Sequence, residues 1–167
     1  PFRLWSAACS SGEEPYSAAM VLADTLGKTG WEILASDIST EVLARAKAGR
    51  YPMTRIDRIP PESLKRYCLR GVGEAEGSLM VDPTLSAKVD FRQINLNTQL
   101  PEVGLFDVIF LRNVMIYFNG ETKQQVVARL RSCLRPGGYL IIGHSETLNG
   151  FQSGLEVVMP SVYRAGQ

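Results

Sequence analysis

Residues 4–17, Leu-Trp-Ser-Ala-Ala-Cys-Ser-Ser-Gly-Glu-Glu-Pro-Tyr-Ser, read as a strand that runs into a loop of small residues and then into a helix. This unit constrains the fold more than any other. A strand end followed by Ser6, Ala7, Ala8, Ser10, Ser11 and Gly12 lets a ligand approach the backbone, and the helix start behind it presents unpaired N–H groups. The loop has no second glycine and no lysine of the kind that phosphate-binding loops use. Glu13 and Glu14 at its mouth repel a pyrophosphate and favour a cofactor with positive charge. S-adenosylmethionine, with its sulfonium and α-ammonium groups, meets that requirement.

The pattern continues as βαβα. A strand over 2–5 is followed by a helix over 15–26, with Pro15 in its first turn, Gly27 past its end, and Ala19, Met20, Ala23 and Leu26 on one face. A strand over 31–36 ends at Asp37, and a helix over 40–48 follows with Ser39 as N-cap and Gly49 as stop. Alternation of this kind implies an α/β fold with a doubly wound parallel sheet and ligands at the carboxyl ends of its strands. From 51 to 92 prolines and glycines break the pattern, and a short helix over 61–69 and strands over 78–82 and 88–93 read as an inserted subdomain. A buried strand over 106–111, an amphipathic helix over 121–134, a strand over 139–143 after Pro136-Gly137-Gly138, and a closing hairpin of 155–159 with 161–165 complete the chain.

With 167 residues and a formal net charge of +1, the chain fits one domain and lacks the positive surplus of a general nucleic-acid binder. Cys9, Cys68 and Cys133 are too far apart for a zinc site and odd in number, which favours a reducing, cytoplasmic setting. No long apolar run marks a membrane span. Residues 41–70 carry eight basic against three acidic side chains, a surplus of +5 that leaves the rest of the chain at −4. The run (Arg45, Lys47, Arg50, Arg55, Arg58, Lys65, Arg66, Arg70) is either a solvated face or a surface for an acidic protein partner.

Asp37 has two readings. Its carboxylate matches the vicinal diol of an adenosine ribose, and it also suits the turn Asp-Ile-Ser-Thr before the next helix; beside the small-residue loop the ligand reading is favoured. Glu14 suits both a helix start and a bound amino group, with Glu13 the more solvent-facing of the two. Asn95 and Leu96 follow the third strand, where residues meet an adenine ring, but Asn95 and Asn97 are what an ordinary loop contains, and the pattern alone favours that plainer reading. Arg112, Asn113 and Tyr117 stand after a central strand as candidate substrate contacts, with Met115, Ile116 and Phe118 read as core. His144 reads as a structural, hydrogen-bonded residue, since no nucleophile accompanies it.

Residues 5–17, 35–43 (Ala-Ser-Asp-Ile-Ser-Thr-Glu-Val-Leu), 112–118 (Arg-Asn-Val-Met-Ile-Tyr-Phe) and 143–146 (Gly-His-Ser-Glu) together resemble the CheR family, S-adenosylmethionine-dependent methyltransferases that esterify glutamates of bacterial chemotaxis receptors. The resemblance covers essentially residues 1–167. It implies a Rossmann-like methyltransferase sheet with an antiparallel last strand and a small inserted antiparallel β-subdomain at 51–92. It also implies a cofactor site of Ala7, Gly12, Glu14, Asp37, Ile38, Asn95, Leu96, Leu111 and Arg112, with Tyr117 beside the transferred methyl group and Asn113 positioning the acceptor. The product would be S-adenosylhomocysteine, and no metal is expected. In some members the subdomain captures a receptor C-terminal peptide, and the loop over 70–77 (Arg-Gly-Val-Gly-Glu-Ala-Glu-Gly) is similar to theirs; a regulatory protein partner is a further expectation. Members also carry an N-terminal helical domain and a Phe-Phe-Arg linker, which this sequence lacks, so reduced cofactor affinity and activity are expected of residues 1–167 alone.

A glutamate acceptor is already ionised at neutral pH, so its methylation needs no general base, in keeping with a chain that offers no convincing one. An amine-methylating enzyme is a rival, but Val114-Met115-Ile116 stands where such enzymes place prolines. A non-catalytic docking module on the same fold is the other.

Overall fold

The computed structural model describes residues 1–53 and 59–167. In chain order it contains β1 (Phe2–Ser6), α1 (Glu13–Leu26), β2 (Trp31–Asp37), α2 (Thr40–Ala48), β3 (Arg50–Pro52), α3 (Pro61–Tyr67), β4 (Cys68–Arg70) and β5 (Ser78–Val81). One turn of helix, α4 (Pro83–Ser86), then leads to β6 (Val89–Gln93), β7 (Phe106–Leu111), α5 (Gly120–Arg131), β8 (Leu134–Ile142), β9 (Glu156–Met159) and β10 (Val162–Arg164). The main sheet has the order β6-β2-β1-β7-β8-β10-β9, parallel from β6 to β8, with β10 antiparallel to both β8 and β9. A second sheet, β3-β5-β4, is antiparallel. The α/β, doubly wound, Rossmann-like architecture with a small antiparallel sheet is therefore observed.

Each face of the main sheet has its own core. On one face Trp5, Leu34, Ile109, Leu111, Leu140 and Ile142 pack with Val126, Val127 and Leu130 of α5. On the other, Leu4, Ile33, Ala35 and Val89 pack with Tyr16, Ala19 and Met20 of α1 and Leu43 of α2. Side chains alternate across the sheet, so both faces of β1 and β2 are apolar, as a buried parallel sheet requires. Two hydrogen bonds pair polar atoms within this core. The Trp5 indole N–H donates to Ser36 Oγ at 2.9 Å, and the Ser36 hydroxyl donates to the Ala7 carbonyl at 2.9 Å, which ties the loop after β1 to the end of β2.

Several expectations shift. The strand read over 88–93 does not belong to the inserted unit. It is β6, paired with β2 from Ile33↔Val89 to Asp37↔Gln93, so the small sheet closes at Val81. Pro136-Gly137-Gly138 lies within β8 as an irregularity in its pairing with β7, between Phe106↔Leu134 and Val108↔Tyr139. Leu26 is 47% exposed, because the buried side of α1 is set by Pro15, Tyr16, Ala19, Met20 and Leu22. The α2 boundaries, with the Ser39 hydroxyl accepting from Val42 N and left-handed Gly49 at the end, agree with the sequence reading. No described helix is long and apolar enough to cross a membrane.

Candidate active site

The carboxyl ends of β2, β1, β6 and β7 meet along one edge of the sheet, and the loops leaving them carry most of the residues singled out above. The loop after β1 is fixed from three sides. Cys9 N donates to the Ser36 carbonyl at 2.8 Å, Ser10 N donates to Asp37 Oδ2 at 3.0 Å, and the Tyr51 hydroxyl donates to the Ser11 carbonyl at 2.7 Å. Gly12 closes the loop at φ +97°. A Cβ there would lie 2.8 Å from the Tyr51 hydroxyl and 2.9 Å from Ala46 Cβ, so only glycine lets α1 start this close to α2.

Glu14, in the first turn of α1, does not cap its helix. It reaches back to β1, where the Ser6 hydroxyl donates to Oε1 at 2.7 Å, while Oε2 stands 3.9 Å from Arg112 Nη1. Burial pushes the Glu14 carboxyl above its ordinary 4.5, outweighing the Ser6 hydrogen bond and the Arg112 charge, both of which lower it. The Cys9 thiol is pushed up to about 12, first by burial and then by the charges of Asp37, Glu14 and Glu13. The local field is thus negative. A largely buried carboxylate in such a field fits a cation, which is the test that S-adenosylmethionine must pass here.

Asp37 fills the turn role of its two readings. Its oxygens accept from Ser10 N and Ser39 N at 3.0 Å each, and a carboxylate oxygen so engaged still has a second lone pair. Ile38 beside it is exposed. Asn95 Oδ1 accepts from Asn97 N at 2.9 Å, as an ordinary loop residue does. Ala7, Leu96 and Leu111 are buried, with side chains in the apolar core, which leaves their backbone as the part that can face a ligand.

After β7 the chain turns sharply. Asn113 adopts φ +62°, and a 3-10 turn over Met115–Tyr117 follows. Met115 is buried, but Ile116 is 63% and Tyr117 78% exposed, so the core reading fails for Ile116. The turn aims its buried position at Met115 and leaves the next two side chains in solvent. Sequence reasoning missed the residue that holds this turn, Glu146. Its carboxylate is only 8% exposed and accepts from Asn113 N at 2.7 Å, Met115 N at 2.7 Å and Gly143 N at 2.9 Å. His144, given the structural role instead, is exposed. The available signal was an acid three residues after the glycine that ends β8.

A cavity of about 900 Å³ opens from Glu13, Glu14, Arg112 and Asn113 onto the sheet face of Phe2, Leu4, Val108, Phe110 and Ile141, beside α1. Asp37, Ile38, Asn95 and Leu96 lie outside it on the open carboxyl edge. Of the basic run, Arg45 pairs with Glu41 at 2.6 Å and Arg66 with Asp24 at 3.2 Å, while Arg55 and Arg58 fall outside the described residues.

Residues 1–163 match the family model described as "CheR methyltransferase, SAM binding domain". The chemotaxis protein methyltransferase of Escherichia coli K12 is 45% identical over 165 residues, covering 97% of this chain and 58% of that protein. Chemotaxis protein methyltransferase 1 of Pseudomonas aeruginosa is 41% identical over 173 residues, covering 98% of this chain and 62% of the relative. The chain thus spans about three fifths of the length of these relatives. Among solved structures, the glycopeptide N-methyltransferase MtfA complexed with sinefungin superposes with a TM-score of 0.54 at 15% identity, over 85% of this chain and 43% of that one. The N-methyltransferase NodS of Bradyrhizobium japonicum, in complex with S-adenosylhomocysteine, gives 0.51 at 15% identity over 84% and 51%. At such identities the likeness is one of fold.

Proposed function

This chain belongs to the CheR methyltransferase family and carries its S-adenosylmethionine-binding domain, and from that premise we propose that it is the catalytic part of a protein-glutamate O-methyltransferase acting on methyl-accepting chemotaxis receptors in the cytoplasm. The observation that carries the reading is the pairing of a negative cofactor mouth at the largely buried Glu14 with an exposed Asn113 and Tyr117 on the adjoining loop, beside which the chain's one histidine is exposed and has no carboxylate partner among the described residues.

When bound, S-adenosylmethionine supplies a methyl group made electrophilic by its sulfonium. In this reading Glu14 would hold the ammonium group and Asp37 the ribose hydroxyls, and the small-residue loop of Ala7 and Gly12 would admit the cofactor to the backbone. Ile38, Asn95, Leu96, Leu111 and Arg112 complete the lining. A glutamate acceptor, with a pKa of about 4.3, arrives ionised, so these residues need move no proton. What they supply is placement and exclusion of water, and the Asn113 amide and Tyr117 hydroxyl are placed to orient the incoming carboxylate.

Incubating the full-length protein with receptor membranes and methyl-labelled S-adenosylmethionine tests the reading. Label recovered as a base-labile ester on receptor glutamates is expected. Base-stable label would move the activity to an amine acceptor, and failure to bind S-adenosylhomocysteine would favour the non-catalytic docking module. The same titration on residues 1–167 alone is expected to show weaker binding than the full-length protein.

A further inference from the structure

The buried carboxylate of Glu146 is a polar group at this edge that the proposed chemistry does not use. A carboxylate loses several kcal/mol on burial unless hydrogen bonds replace its water. Here three backbone N–H groups do so, and they come from two separate strand ends. Asn113 N and Met115 N belong to the loop after β7, and Gly143 N to the end of β8. Glu146 N in turn donates to the Gly143 carbonyl at 3.0 Å, so the acid sits within its own tight turn.

The loop it grips turns through a left-handed residue. Asn113 holds φ +62°, a left-handed conformation that asparagine accepts more readily than other non-glycine residues. The surroundings are close-fitting. A Cβ on Gly143 would stand 2.5 Å from Asn113 Oδ1 and 2.7 Å from Glu146 Oε1, so the glycine is what lets the three groups converge. Downstream of the clamp stand Ile116 and Tyr117 in solvent, and directly upstream stands Arg112, 3.9 Å from Glu14.

We propose that Glu146 is a positioning residue, which by bonding the backbone of Asn113, Met115 and Gly143 sets the acceptor-side residues Asn113 and Tyr117 in register with the cofactor-side residues Arg112 and Glu14. The proposal rests on the methyl-transfer reading above. The clamp itself is a matter of hydrogen bonds and is measurable without substrate.

Glu146→Gln in the full-length protein keeps the shape and one acceptor oxygen, but turns an NH2 group toward one of the N–H groups now bound. Amide exchange at Asn113 and Met115 is expected to rise at least tenfold. The Kd for S-adenosylhomocysteine is expected to stay within about twofold, and kcat for receptor methylation to fall about 100-fold, the cost of a misplacement near 1 Å. A residue of merely structural role would lower Tm and cofactor affinity in step, and that pattern overturns the proposal. So does loosened amide exchange with unchanged kcat. Should Glu146→Gln fail to fold, Gly143→Ala crowds both Asn113 Oδ1 and Glu146 Oε1 and so pries the clamp open without removing the acid. A kcat loss with cofactor affinity retained supports the proposal there, and an unchanged kcat overturns it. A wild-type protein that binds S-adenosylhomocysteine but methylates no receptor sinks the proposed reaction instead, and amide exchange then still decides the clamp.

Discussion

Glu14 is a carboxylate held where its charge is costly. Folding raises its pKa above 4.5, so the folded state binds more protons than the unfolded one, and its contribution to stability is present below 4.5 and lost as pH rises through the folded value. Glu14→Gln removes that loss. The ligand-free variant is expected to melt above wild type at pH 7, with the difference closing as the pH falls toward 4.5, as thermal melts across that range would show. Affinity for S-adenosylhomocysteine is expected to drop by about 1.5–3 kcal/mol, the worth of a hydrogen bond to a charged group, and calorimetry would reveal it. A variant that is more stable and still binds as tightly would remove Glu14 from the cofactor site. At this scale the sequence was informative about position, as for Glu14 in the first turn of α1 and Asp37 at the end of β2. It was silent on Glu146, whose partner Asn113 lies 33 positions away and offers only its backbone, a pairing that no side-chain pattern encodes.

Among elements, the junction of β1 with α1 depends on a single residue that carries no side chain. Gly12→Ala meets two obstacles, a positive φ of +97° and contacts of 2.8 Å and 2.9 Å with the Tyr51 hydroxyl and Ala46 Cβ. Strain of this kind costs about 2 kcal/mol, which corresponds to a Tm about 4–8 °C lower in a chain of this size. Weaker S-adenosylhomocysteine binding should accompany it, because the loop can yield only by moving away from α2. A melt unchanged from wild type would mean that the loop has room to spare. Capped elements were legible in the sequence, as α2 between Ser39 and Gly49 illustrates, because the cap residues act locally. Strand partners were not. The segments that became β5 and β6 both read as short strands, yet one joins the small sheet and the other the main sheet. That choice is decided by the apolar face waiting on β2, which residues near position 80 do not reveal.

Over the whole molecule, a formal net charge of +1 hides an uneven distribution. Ion pairs with Glu41 and Asp24 neutralise Arg45 and Arg66, whereas Lys47, Arg50, Lys65 and Arg70 are exposed and form no ion pair among the described residues. These four flank or belong to the small sheet, which packs on the main core through the Tyr16–Tyr51 edge contact, with ring centroids 6.2 Å apart. Lys65 and Arg70 therefore stand on a unit attached directly to the loop after β1 through Tyr51, with Glu62, Glu74 and Glu76 on the same unit. If this surface guides an acidic receptor segment to the site, Lys65→Glu with Arg70→Glu lowers kcat/KM for receptor methylation, about tenfold in a steered association, at low ionic strength. The Debye length shrinks to about 10 Å at 0.1 M salt, so the deficit should narrow as salt is added, while kcat at saturating receptor stays the same. A rate that ignores both the substitutions and the salt would return this face to solvent and leave receptor capture to contacts other than charge.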